Sequence, residues 1–274
     1  MAIITLTSDF GLKDPYVAVL KGAIYAELEQ ATIVDISHLI SPFNIHEGAY
    51  TLKTAYQHYP KGSIHIIGID SEKTPEQPHV VALYDGHYFI GADNGIFLLI
   101  APKGNFEMLI TIDLPDKTLT PTHIFARAAC HIARGGRLEL LGRRVQTVKE
   151  VKNLTPSLNN NENLITGNVI HVDNYGNVVT NITKNWFDLI RKGRAFEITV
   201  LNYKFTKIYN KYSESINFDI ANEKRNEDGK KLALFNEAGY LELAIYKSNL
   251  QTVGGASSLL GLRYPDSVFI NFID

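Results

Sequence analysis

Strand-forming and helix-forming stretches alternate between residues 3 and 134 of this chain, and then the alternation stops. Residues 3–7, 32–36 and 63–69 are short β-branched runs, separated by segments whose apolar residues recur at helical spacing. Asp14 offers an N-cap with Pro15 at the first helical position, and Val17, Leu20, Ile24 and Leu28 continue the apolar face. Asn44 and Glu47 form a capping box ahead of Ile45, Ala49, Leu52, Ala55 and Tyr56. Residues 80–84 and 87–91 read as a hairpin about Asp85-Gly86, a favoured two-residue turn. A further helix over 121–134 stops at Gly135-Gly136. Such alternation predicts a mostly parallel sheet flanked by helices.

Residues 153–163, with Pro156, Ser157 and three successive asparagines, read as a polar linker. Beyond it come mainly strands, at 164–172, 196–201, 232–235, 240–246 and 268–273, which predict a compact β-barrel or sandwich. The charged stretch 219–231 reads as an exposed loop. The expected plan is an α/β N-terminal domain over 1–152, a linker over 153–163 and a smaller, barrel-like all-β domain over 164–274.

Composition removes several function classes. A formal charge of −2 lacks the cationic surface that phosphate backbones require, so no nucleic-acid partner is expected. The longest apolar runs, such as 97–102, are far too short to span a bilayer, and residues 1–4 lead straight into a strand without a signal-peptide pattern. The single cysteine, Cys130, sits on an apolar helical face and has no partner for an internal disulfide. A cytoplasmic protein is expected.

The chemistry concentrates at strand ends. Asp9, in Thr7-Ser8-Asp9-Phe10-Gly11, and Asp70, after residues 64–69, both close strand patterns and should share the ligand-binding edge of a parallel sheet. A carboxylate there can accept two hydrogen bonds from a ribose diol, although either aspartate also suits a turn or cap. Ala92-Asp93-Asn94-Gly95 reads first as a turn. Asp173-Asn174-Tyr175-Gly176-Asn177 suits a hairpin turn, and its amide, carboxylate and aromatic groups equally suit a purine edge. Histidine spacing shows no metal motif, and no phosphate-cradling glycine loop is present.

Together these strings, with Asp14-Pro15-Tyr16-Val17, Val34-Asp35-Ile36-Ser37-His38 and residues 236–242, resemble the S-adenosyl-L-methionine hydroxide adenosyltransferases, relatives of the fluorinase and chlorinase. The resemblance spans nearly the whole chain. It implies SN2 displacement at the 5′ carbon of S-adenosylmethionine (SAM) by water, without a cofactor, to give adenosine and L-methionine. It also implies a homotrimer with the ligand between subunits. By position, Asp9 would hold the ribose diol, and Asp14 and Asp173 the amino-acid head. Asn177 would read the adenine edge beside Tyr175, with Tyr212 stacking on the base.

The family's water-handling Asp-Arg-His set is matched only at Asp70, since Gln77 and Thr120 stand at the other two positions. A carboxylate acting alone is a weak base at neutral pH. Two alternatives therefore accompany the hydrolase reading: a non-catalytic or regulatory SAM- or adenosine-binding protein, and a metal-dependent phosphohydrolase using Asp9, Asp35, His38 and Asp70.

Overall fold

The computed structural model describes residues 2–116, 118–151, 154–221, 223, 225 and 229–273. The chain divides into two compact units, Met1–Lys152 and Asn153–Asp274.

In the first unit the elements run β1 (Ile3–Ser8), α1 (Tyr16–Glu27), β2 (Thr32–Ser37), α2 (Ile45–Tyr56), β3 (Ile64–Gly68), β4 (His79–Tyr84), β5 (His87–Ala92), α3 (Ile96–Ile100), β6 (Met108–Ile112), α4 (Pro121–Ala133) and β7 (Gly142–Arg144). The sheet order is β2-β1-β3-β5-β4-β6-β7. Pairing is parallel from β2 through β5 and antiparallel beyond it. The switch comes from the β4–β5 hairpin, whose Asp85 and Gly86 take φ 50° and 69°, the left-handed pair that a two-residue turn matching strand twist requires.

Both faces of the central strands are covered, so β1, β3, β4 and β5 are buried along most of their length. Ile4, Leu6, Ile64 and Ile66 pack against α1 and α4 through Leu20, Ile24, Phe125 and Ala129. Ile67, Ile69, Val80 and Phe89 pack the other way, against Leu52 and Tyr56 of α2 and Ile96 and Phe97 of α3. The α2 cap forms as expected, with Asn44 Oδ1 accepting from the Glu47 amide at 3.2 Å. The cap expected at Asp14 does not. Helix α1 begins one residue later, with Pro15 as its boundary and no side-chain cap.

The second unit contains β8 (Ser157–Leu158), β9 (Leu164–Val172), β10 (Val178–Thr183), α5 (Lys184–Arg191), β11 (Ala195–Val200), β12 (Tyr203–Phe205), β13 (Ile208–Tyr209), β14 (Lys231–Phe235), β15 (Tyr240–Ile245), α6 (Ala256–Leu260) and β16 (Ser267–Ile273). Its strands form a nearly closed, barrel-like sheet in the order β12-β11-β16-β9-β10-β15-β14-β13. Alternate residues of β9, β11 and β16 face a core containing Ile165, Val169, Ile198, Val268 and Ile270. Phe187 of α5 and Leu260 of α6 complete that core. The stretch read as a linker carries β8, paired with β9 through Ser157 and Leu158, while Asn153 lies outside the described residues. In the charged stretch, residues 222, 224 and 226–228 also lie outside them.

Candidate functional site

Strands β1 and β3 run parallel with Ser8 opposite Gly68, so the residues that follow emerge at one sheet edge. Asp9 Oδ2 accepts from the Phe43 amide at 2.9 Å and from the Asp70 amide at 3.3 Å. Both donors have left-handed backbones, Phe43 at φ 62° and Asp70 at φ 43°. Bulky residues take that conformation at a cost, and such strain is held where a loop must meet a fixed geometry. Among the described residues Asp9 Oδ1 accepts no hydrogen bond.

The Asp70 turn is pinned from behind. Asn94 Nδ2 donates to the Ile69 carbonyl at 2.9 Å and the Asp70 carbonyl at 3.4 Å. Gln77 Nε2 donates to the carbonyls of Asp70 at 2.7 Å and Glu72 at 3.2 Å. Thr120 lies at the start of α4, its hydroxyl 2.7 Å from His123 Nδ1 and 2.9 Å from the Thr122 hydroxyl. Asp14 is exposed in the turn before α1.

Beneath Asp9 lies a second polar chain. The buried Ser8 hydroxyl is 2.7 Å from His38 Nδ1, and His38 Nε2 is 3.1 Å from Asp35 Oδ1. Lys21 bonds the other Asp35 oxygen. Burial would raise the Asp35 carboxyl, but the hydrogen bonds and charge of Lys21 and His38 outweigh it and hold it below its ordinary range. The His38 carbonyl also accepts from the Gly11 amide at 2.8 Å. Asp9, Asp35, His38 and Asp70 are thus occupied in different ways, and among the described residues no three His, Cys, Asp or Glu side chains converge as metal ligands.

The second unit holds the other expected residues. Loop 173–177 joins β9 to β10, closed by the Asp173 amide donating to the Asn177 carbonyl at 3.0 Å. Tyr175, Asn177 and Tyr212 line one cavity of about 470 Å³, together with Ile245, Lys247, Ser248 and Asn249. The loop seats closely on residues 248–257. A Cβ on Gly176, which has φ 79°, would lie 2.6 Å from Leu250 Cδ2 and 2.9 Å from Gly255 Cα. Asn177 is 4% exposed, and its Oδ1 is buried with no hydrogen-bond partner among the described residues. Buried amide oxygens are rarely left that way.

Tyr212 is fixed by its hydroxyl, which donates to Glu242 Oε1 at 2.7 Å. Burial pushes the Glu242 carboxyl above its ordinary range, and the charge of Asp173 adds to that effect against the opposing bonds from Tyr212 and Asn236. Burial and this same carboxylate raise the Tyr212 phenol.

Residues 4–142 match the model of the SAM hydroxide adenosyltransferase N-terminal domain, and residues 167–269 match that of the C-terminal domain. The chain belongs to the SAM hydroxide adenosyltransferase family. Within it, the chain is 33% identical to a Methanocaldococcus jannaschii protein named (R)-S-adenosyl-L-methionine hydrolase, across 98% of this chain and 95% of that one. It is 26% identical to a fluorinase of Nocardia brasiliensis over 72% of this chain and 77% of that one. A solved structure of an uncharacterized conserved protein from Thermotoga maritima superposes with a TM-score of 0.80, at 26% identity, covering 98% of this chain and all of its counterpart.

Gln77 and Thr120 are turned to local partners, a backbone turn and a neighbouring imidazole. Asn94 and Glu242 were not singled out as site residues from the sequence. The Asn94 string reads as a turn, while the amide's reach to the Ile69 and Asp70 carbonyls just beyond β3 is a tertiary contact. Glu242 carried a usable signal, a lone carboxylate inside the apolar run 241–245.

Proposed function

We propose that this protein hydrolyses SAM to adenosine and L-methionine by attack of water at the 5′ carbon, without a metal or organic cofactor. The observation that carries the reading is a cavity of nucleoside size lined by Tyr175, Asn177 and Tyr212. The Asn177 amide reads the adenine edge there, flanked by the two tyrosines. Asp9 supports the sugar half, because two backbone amides fix one carboxylate oxygen and leave the other for a ribose hydroxyl.

In the displacement, the water oxygen bonds to C5′ as the C5′–sulfur electron pair passes to sulfur, and methionine leaves neutral. The water proton goes to Asp70, held in position by Asn94 and Gln77. Positive charge vanishes at sulfur, so alignment and exclusion of bulk water accelerate the step more than any electrophile would. Asp14 takes the amino-acid head. The working unit is a cytoplasmic homotrimer in which one subunit's N-terminal residues meet a neighbour's C-terminal cavity. The exposed Leu12, Leu39 and Phe43 near Asp9, and Tyr175 and Leu250 near Asn177, suit such burial.

Incubation with SAM, followed by chromatography, should yield adenosine and methionine in equal amounts. A second reading, binding without turnover, is favoured by the local engagement of Gln77 and Thr120. Absence of product together with tight adenosine binding by calorimetry would establish it instead.

A further inference from the structure

One residue grips the turn on both sides of Asp9. His38 follows β2 and is 3% exposed. Its carbonyl accepts from the Gly11 amide at 2.8 Å, and its Nδ1 lies 2.7 Å from the buried Ser8 hydroxyl. Asp35 Oδ1 stands 3.1 Å from the other ring nitrogen. An ionised carboxylate only accepts, so the neutral ring keeps its proton on Nε2 and offers Nδ1 as an acceptor. The Ser8 hydroxyl therefore donates to Nδ1, and its lone pairs face the Phe10 amide, 3.4 Å away. Main-chain pairing does not replace this grip on the β2 side. The β1–β2 ladder is regular from Ile3 to Leu6 and slips at Thr7, just before the turn.

We infer that His38 is a positioning residue for substrate binding: through Ser8 and Gly11 it fixes the turn that aims the second Asp9 oxygen at the ribose. The inference rests on the reading of Asp9 as the residue that meets the sugar diol, and it deepens that reading by naming what holds the carboxylate. The Phe43 and Asp70 amides set where Asp9 Oδ2 lies. They leave the carboxylate free to swing about that oxygen, so the placement of its main chain decides where Oδ1 points. A binding group of this kind has to be held to within about 0.5 Å. His38 acts on the sugar only through Asp9. Lys21, on the far oxygen of Asp35, completes the chain that steadies the imidazole.

The test compares adenosine with 2′,3′-dideoxyadenosine by calorimetric titration of the full-length protein. Their affinity ratio measures the diol contact, and a partly unfolded sample weakens both alike. The wild type should prefer adenosine by about 10- to 100-fold, the scale of charged hydrogen bonds. His38→Asn puts a carbonyl oxygen where Nδ1 stands, keeps the Ser8 bond and should hold the ratio within about threefold of wild type. His38→Gln reaches toward Asp35 instead and loses the Ser8 bond, so the ratio should fall below about threefold. Ser8→Ala removes the same bond from the other side and should lower the ratio as far. An unchanged ratio in H38Q or in S8A overturns the inference. So does an equal fall in H38N and H38Q, which would place the effect in the packing of β1 on β2 and not at Ser8. A wild-type ratio near one removes the Asp9–ribose reading itself, an outcome distinct from a high ratio that no variant moves.

Discussion

Acidification should loosen the N-terminal unit through one buried imidazole. His65 on β3 is fully buried, its Nδ1 2.7 Å from the Thr5 hydroxyl and its Nε2 3.1 Å from His87 Nδ1, with its ring stacked on Phe89. Burial, reinforced by the nearby His87, lowers its pKa from 6.5 to about 3. The folded protein therefore keeps His65 neutral while the unfolded chain protonates it. Stability from this residue is complete above pH 6.5 and is lost as pH falls through 6.5 toward 3. At 1.36 kcal/mol per pH unit the full effect is roughly 4–5 kcal/mol, of which about 2.5 kcal/mol is lost between about pH 7 and about pH 4.5. His46, His79 and His87, also lowered by burial, act in the same direction. Asp35 acts below that window, because its carboxyl lies under the ordinary 3.8.

The assay is urea unfolding at several pH values, followed by hydrogen–deuterium exchange of peptides from β1, β3 and β5. His65→Phe is the control. It lowers stability at neutral pH by leaving the Thr5 hydroxyl and His87 nitrogen unpaired, yet it should flatten the pH dependence by about 2.5 kcal/mol over that range. If His65→Phe and wild type lose stability in parallel from pH 7 to 4.5, the neutral-imidazole account is wrong.

Three further outcomes are expected. Asp9→Ala should weaken adenosine binding by about 1.5–3 kcal/mol, the scale of a lost charged hydrogen-bond partner, with calorimetry as the measure and unchanged affinity as the refutation. Gly176→Ala places a methyl group 2.6 Å from Leu250 at φ 79°, and should destabilise the second unit by about 1–3 kcal/mol while abolishing nucleoside binding. A wild-type melting temperature in that variant would show that the loop yields. Gln77→Arg combined with Thr120→His should raise kcat on SAM by about tenfold or more, and a double variant no faster than wild type would mean that these positions do not limit turnover.

The local patterns of the sequence were enough to set most of the longer strands and helices, because burial on a strand or helix face demands apolar residues at a fixed period. They placed Asp9 and Asp70 at the ends of the first and third strand patterns, and the structure sets the Asp70 amide 3.3 Å from the Asp9 carboxylate. The strands β6 and β10 and the helix α5 escaped the reading, as did the short elements β12, β13 and α6, whose few residues hold too little periodicity to stand out from loop. The parallel-to-antiparallel switch at β4 likewise depends on which strand edge a hairpin finds, and no local pattern encodes that choice.

What tertiary structure alone decided is the state of each polar group. Asn177 was visible as an amide in a turn, but that its nitrogen donates to Asp173, 2.9 Å away, only the folded loop decides. Gln77 could have met Asp70 through its carboxylate and meets the main-chain carbonyl instead. Glu242 could have been an exposed strand residue and is a buried carboxyl held by Tyr212, 30 residues distant in sequence. Residue type limits which hydrogen bonds a side chain can make, whereas its partners and its charge follow from groups that only the folded chain brings within about 3 Å.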